Sequence, residues 1–294
     1  MPEQSLAEAF GVTEEARAKI NLALHVTGQR ADGYHLLDML VTFADCGDRL
    51  GFLPAQADAF TLSGRFGDTL AGDGGTNLVL RARDLLREVV GGLAFPVHIH
   101  LQKNLPVASG IGGGSADAAA TLRGLMRLWG TRPPVEALAT LALKLGADVP
   151  MCLESRPLIA RGIGEEIEAV ADLPAFAMVL ANPLKGVSTP EIFRRLATKN
   201  NPPLNLARSA GWLAAIGAAR NDLEPPAREV VPEIAAISAM LQAEGALLTR
   251  MSGSGATCFG IFANIAAAQA AAMALHETRP DWYFQATETV SGGI

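Results

Sequence analysis

The chain has 294 residues, 49% hydrophobic and 18% charged, with 24 Lys and Arg against 30 Asp and Glu for a formal net charge of -6. That composition can bury a large core and argues against disorder, and at about 150 residues per domain the length suggests two domains. The acidic balance argues against a non-specific nucleic-acid binder, which needs a basic face. The three cysteines are too few for a disulfide framework and read as buried apolar residues of a reduced, cytoplasmic protein.

Residues 1 to about 13 read as a loose leader, with neither the basic nor the apolar region of a secretory signal. Residues 18–26 alternate as a strand, with Ile20, Leu22 and Leu24 on one face and Lys19, Asn21, Ala23 and His25 on the other. A polar turn containing Gly28 and Gly33 follows, then an apolar run over 36–44 and short strands in 47–54 and 59–66. Residues 77–90 have helical spacing, with Leu78, Leu85 and Val89 on one side and Gly91 and Gly92 as the stop. Residues 95–102 alternate with Val97, Ile99 and Leu101 inward; a glycine-rich loop and helices over 115–129 and 135–145 come next.

After residue 155, strand-like segments recur, with helices expected at 189–197 and 207–219. Pro225 and Pro226 are expected to break the chain before a helix over 232–244. No charge occurs from Met251 to His276, a span long enough to cross a bilayer. Its Ser, Gly, Asn and Gln residues make it a loop, a buried strand and an Ala-rich helix, so no membrane association is expected. Mixed elements with antiparallel pairs make the fold class α+β, with a boundary near residue 155.

The segment richest in chemistry runs from Leu105 to Ala118. Gly110, Gly112, Gly113 and Gly114 place four glycines in five positions ahead of an Ala-rich helix. Bare amides in such a loop form a concave nest for an anion, and the helix adds its free first-turn N–H groups. The alternative is a tight strand-to-helix turn. No Gly-Lys pair occurs, which excludes a P-loop, and the third glycine of G-x-G-x-x-G falls on Ser115, which excludes the Rossmann fingerprint. Kinase catalytic-loop motifs are absent. His98 and His100 share a strand face without a third ligand at metal spacing, so no metal site is expected.

Residues 106–118 resemble the glycine-rich motif of the GHMP kinases. Three further segments extend the resemblance over about residues 17–290: Ala18 to Leu22 with Gly33-Tyr34-His35, Gly146 to Pro150, and Met251 to Thr257. Ala108 and Ser109 stand where relatives often have glycine, and Asp117 where Asn is common. The resemblance implies an N-terminal domain over 1–155 carrying the ATP loop, a C-terminal substrate-side domain over 156–294, and a cleft between them. It implies transfer of the γ-phosphoryl group of ATP, with Mg2+ arriving on the nucleotide, to the 2-hydroxyl of a cytidine-diphosphate sugar alcohol in isoprenoid precursor synthesis. The partner expected is therefore a small molecule, and the chain a monomer or homodimer. Homoserine- or mevalonate-type kinase activity and a non-catalytic nucleotide or sugar-phosphate sensor are the alternatives.

By the resemblance, Asp148 is the general base and Lys19 its electrostatic partner; on residue type alone Asp148 is equally a turn or cap residue before Val149-Pro150. Pro106, Val107, Ala108, Ser109, Gly110, Ile111, Gly112, Gly113, Gly114, Ser115 and Ala116 line the triphosphate, with Asn77 near the adenine unless it is an ordinary helix cap. Tyr34, His35 and Phe193 hold a cytosine ring, with Thr189 and Asn21 as polar contacts on the substrate side. Gly253, Ser254 and Gly255 approach phosphates and substrate unless they form only a hairpin turn.

Overall fold

Strand formation starts earlier than the alternating core of residues 18–26 suggests. In a computed structural model describing residues 6–70 and 77–293, a short helix α1 (Leu6–Ala9) leads directly into an 18-residue strand, β1 (Val12–Gln29). The expected loose leader is thus structured from Leu6 onward, and its residues 1–5 lie outside the described ones. The chain continues through β2 (His35–Pro54), β3 (Ala59–Ser63), α2 (Leu78–Val90), β4 (Val97–Gln102), α3 (Gly113–Leu128), α4 (Val135–Leu145), α5 (Val149–Glu154), β5 (Leu158–Gly162) and β6 (Glu166–Ala169). Then come β7 (Ala177–Asn182), α6 (Thr189–Arg194), α7 (Trp212–Ala218), α8 (Glu224–Val230), α9 (Glu233–Ala243), β8 (Leu248–Met251), β9 (Cys258–Phe262), α10 (Ile265–Thr278) and β10 (Tyr283–Glu288).

The α+β chain forms two compact units. The first contains residues up to Ala18, 47–107 and 112–154; the second contains 19–46, 108–111 and 155–294. Relative to a split at 155/156, residues 19–46 and 108–111 are grouped with the C-terminal residues.

In the first unit, residues 49–54 of β2 pair antiparallel with β4, and β3 pairs parallel with β4 on its other side. Leu50, Phe52, Val97, Ile99 and Leu101 are buried, as the alternation in β4 requires. The neighbouring face carries His98 and His100, which share the Thr61 hydroxyl at 2.8 Å each, while Phe10 lies 5.6 and 5.5 Å from their rings. That face is therefore partly covered. Among the described residues no three His, Cys, Asp or Glu side chains form a metal-sized group.

Gly124 of α3 sits against the sheet so closely that an added Cβ would lie 2.2 Å from the Phe52 ring. Helix α2 packs on α3 and α4 and buries Val79, Ala82 and Leu86, whereas Leu78 and Leu85 are half-buried and Val89 is exposed. Both sets satisfy helical spacing; the face that meets α3 decides between them. Val149, although it precedes a proline, is the first residue of α5. Proline in a first helical turn loses no hydrogen bond, so Pro150 does not break it.

In the second unit, residues 37–41 of β2 pair with β5, and β5 forms a hairpin with β6. A separate antiparallel sheet has the order β10-β7-β9-β8, with α9 and α10 packed against it. Every residue of β7 and β9 is buried. Residues 18–25 of β1 are also buried on both faces, including Lys19, Asn21 and His25, so their alternation does not mark a solvent side. Pro225 and Pro226 open α8 instead of breaking the chain, and α7 is shorter than the expected 207–219. Among the described residues no helix is long and apolar enough to cross a membrane.

Candidate active site

In the second unit, the loop residues 108–111 lie against the turn between β8 and β9. Lys19 N donates to Ile111 O (3.0 Å), Thr257 N to Ser109 O (3.1 Å), and Ser252 Oγ to Gly110 O (3.2 Å). Ser252 Oγ in turn accepts from Asn21 N at 3.0 Å, so one hydroxyl joins β1, the loop and the turn. A Cβ on Gly110 would meet Ser252 O and Gly255 O at 2.7 Å, and one on Gly253 would meet Gly110 O at 2.5 Å. Two backbones touch here, and only glycine permits it. Residues Ala108, Gly110 and Gly112 take φ of 51, 77 and 64°. Such turns aim consecutive N–H groups to one side, the geometry of an anion nest. With the 109, 110 and 111 carbonyls engaged by protein donors, amides are the backbone groups this loop has to offer.

Ser254 Oγ is 2.7 Å from Thr189 Oγ1 on α6, and α6 also carries Phe193. The ring facing Phe193 is His35, stacked at 4.5 Å with 22° between planes; Tyr34 is 58% exposed and makes no ring contact among the described residues. His35 Nε2 is buried without a hydrogen-bond partner. Burial, followed by the charge of Lys199, lowers the pKa of His35 and favours the neutral ring. A neutral imidazole with one open nitrogen beside an aromatic face can bind the edge and plane of a base. Asn21 is fully enclosed, with Nδ2 3.3 Å from Met39 Sδ and Oδ1 without a partner.

In the first unit, Gly112 opens α3, and Ala116 N closes the first turn on Gly112 O at 2.8 Å. Ser115 Oγ lies 4.0 Å from where a Gly146 Cβ would be, which brings the start of α3 beside the turn that carries Asp148. Asp148 O accepts from Cys152 N (3.1 Å), placing Asp148 at the head of α5. Asn77 caps α2 by accepting from Val79 N at 2.9 Å. Lys19 belongs to the second unit and Asp148 to the first.

Sequence reasoning missed a buried cluster under the start of α3. Lys103 Nζ lies 2.6 Å from Asp48 Oδ2 and 2.5 Å from Asp117 Oδ2, all nearly inaccessible. Part of the signal was present: Lys103 directly follows the alternating strand β4, where a charge is buried only when paired, whereas Asp48 sits beside Asp45 and Arg49 and carries no such mark. Asn221 was also missed. Its Nδ2 donates to Met251 O (2.8 Å) and Gly253 O (2.9 Å) and holds the β8–β9 turn.

Residues 77–156 match the GHMP kinases N terminal domain, and residues 197–281 match the GHMP kinases C terminal domain. The chain belongs to the GHMP kinase family. It is 90% identical over 294 residues to a 4-diphosphocytidyl-2-C-methyl-D-erythritol kinase of Rhizobium etli, with both chains covered completely. A relative of the same name from Agrobacterium fabrum is 62% identical, covering 97% of this chain and 99% of that one. A solved 4-(cytidine 5'-diphospho)-2C-methyl-D-erythritol kinase has 33% identity and a TM-score of 0.79, covering 94% of this chain and 98% of its own. This GHMP kinase is thus a small-molecule phosphotransferase, and its glycine-rich loop lies within the residues that match the N terminal domain.

Proposed function

We propose that this GHMP kinase transfers the γ-phosphoryl group of ATP to the 2-hydroxyl of 4-diphosphocytidyl-2-C-methyl-D-erythritol, a step of isoprenoid precursor synthesis in the cytoplasm. The observation that carries this reading is the end-to-end likeness, at 90% identity, to a kinase of that name. Residues 106–116 line the triphosphate, with backbone amides between Pro106 and Ala116 as its donors, and the positive φ of Gly110 and Gly112 supports that role. Asn77 lies towards the adenine. Residues 1–155 form the nucleotide-side domain and 156–294 the substrate-side domain.

Asp148 takes the proton of the attacking hydroxyl, and the Lys19 ammonium stabilises charge developing on the phosphoryl oxygens. Phe193 and Tyr34 offer ring faces to cytosine, and His35 offers the open Nε2 to its edge. Thr189, Ser254, Gly253, Gly255 and Asn21 serve the substrate side. Mg2+ held by the ATP phosphates would supply neutralisation of their charge; among the described residues no group of three His, Cys, Asp or Glu side chains could hold it. The chain acts as a monomer or homodimer.

A coupled ADP-release assay on the cytidyl alcohol, homoserine and mevalonate tests the reading. Turnover is expected on the cytidyl compound alone; turnover on homoserine or mevalonate without it would reject the assignment.

A further inference from the structure

Two carboxylates share one ammonium beneath the glycine-rich motif, and they are not equivalent. Asp48 Oδ1 accepts from Asn104 N (2.6 Å) and Leu105 N (2.8 Å), while its Oδ2 takes Lys103 Nζ. Asp48 thus accepts three donors. Asp117 receives only Lys103, at Oδ2, and its Oδ1 is buried with no partner. An ionised oxygen left bare in the interior costs far more than a neutral one. With both carboxylates charged, the cluster would carry a buried net negative charge; with one proton it is neutral. The cluster touches the first turn of α3, because a Cβ on Gly113 would lie 3.2 Å from Lys103 Nζ and 3.8 Å from Asp48 Oδ2.

We propose that Asp117 is a neutral carboxylic acid and a positioning residue, holding Lys103 under Gly113 so that no uncompensated negative charge lies beneath the turn that meets the triphosphate. Burial first, then Asp48, pushes Asp117 well above the usual carboxylate range against the opposing pull of Lys103, and these are the charged groups that act on it. The link to triphosphate rests on the function proposed above; the protonation does not.

Reversible urea unfolding of the full chain, wild type against Asp117→Asn, tests it between about pH 5 and about pH 8, above the pKa of an unfolded aspartate. In that window the unfolded state has released a proton that the native acid keeps. The wild-type unfolding constant is therefore expected to rise about tenfold per pH unit relative to the variant. Parallel curves would overturn the proposal. Infrared spectra of wild-type protein with isotope-labelled aspartate give a second readout: a carboxylic-acid band at about pH 7 is expected, and its absence would overturn the protonation even if the variant did not fold. With ATP, Asp117→Asn should keep KM within about threefold and kcat unchanged, and Asp117→Ala should raise KM with kcat retained. A tenfold rise in KM for Asp117→Asn would show that the site needs the charge. If the wild type does not turn over ATP at all, the function fails while the unfolding comparison still decides the protonation.

Discussion

Asp148 stands in Gly-Ala-Asp-Val-Pro, where the proposed base and an ordinary helix cap are both compatible with the residue type, and its backbone accepts the first bond of α5. Asp148→Asn keeps the size and the cap, so it separates the two roles. We expect kcat to fall about 100- to 10,000-fold with the KM for ATP unchanged, measured by ADP release; near-normal kcat would remove Asp148 from the chemistry. The base-binding reading predicts that Phe193→Ala raises KM for the cytidyl substrate by the equivalent of about 1–3 kcal/mol, while an unchanged KM would leave Phe193 as core. His35 in contact with Phe193 was not readable, because the stack depends on α6 and β2 meeting, residues far apart in the chain. Ala108 at φ 51° holds a conformation suited to glycine. Ala108→Gly should stabilise the protein by about 0.5–1 kcal/mol in urea unfolding, since relief of the left-handed strain exceeds the added chain entropy; a loss of that size would contradict it.

Elements with one dominant local signal were readable almost to the residue. Helix α4 ends where Gly146 stops it, and β4 buries every second side chain. Elements whose pattern admits two answers were not. The buried face of α2 is set by α3, and Pro225-Pro226 is compatible with either a break or a helix start. Close contact between α3 and the sheet gives a sharp test. Gly124→Ala would force its Cβ into the Phe52 ring, and we expect a loss of about 1–3 kcal/mol by urea denaturation. A second test concerns Asp58, which ties α2 to β4 by accepting from Arg87 Nη1 and Nη2 (2.7 and 2.8 Å) and from Val97 N (2.9 Å). The hydrogen bond from Arg87 is the main cause lowering its pKa to about 2. Because the native pKa lies below the unfolded one, this stability is present above about pH 4 and is lost as pH falls through about 2. Partial exposure screens the pair, so Asp58→Asn should cost only about 1 kcal/mol at neutral pH and nothing measurable at the acid end.

At the scale of the whole molecule, β1 and β2 each pass from one compact unit into the other, so neither unit is a continuous stretch of chain. A fragment ending at residue 155 would keep strand residues 37–41 but lose β5, their partner in the second unit. We expect such a fragment to lack cooperative unfolding by circular dichroism, because the exposed pairing edge and apolar faces of residues 19–46 would have nothing to cover them; a cooperative transition would show that residues 155–294 are dispensable. Composition and periodicity determined the α+β class and most strand and helix positions, and the glycine spacing marked an anion-binding loop, since those signals lie within short windows where local sterics and side-chain alternation act. Tertiary structure alone decided that Lys103, Asp48 and Asp117 converge, that Ser252 links Gly110 to Asn21, and that His35 covers Phe193. These contacts join residues distant along the chain, and their energies come from burial and pairing that no local window contains.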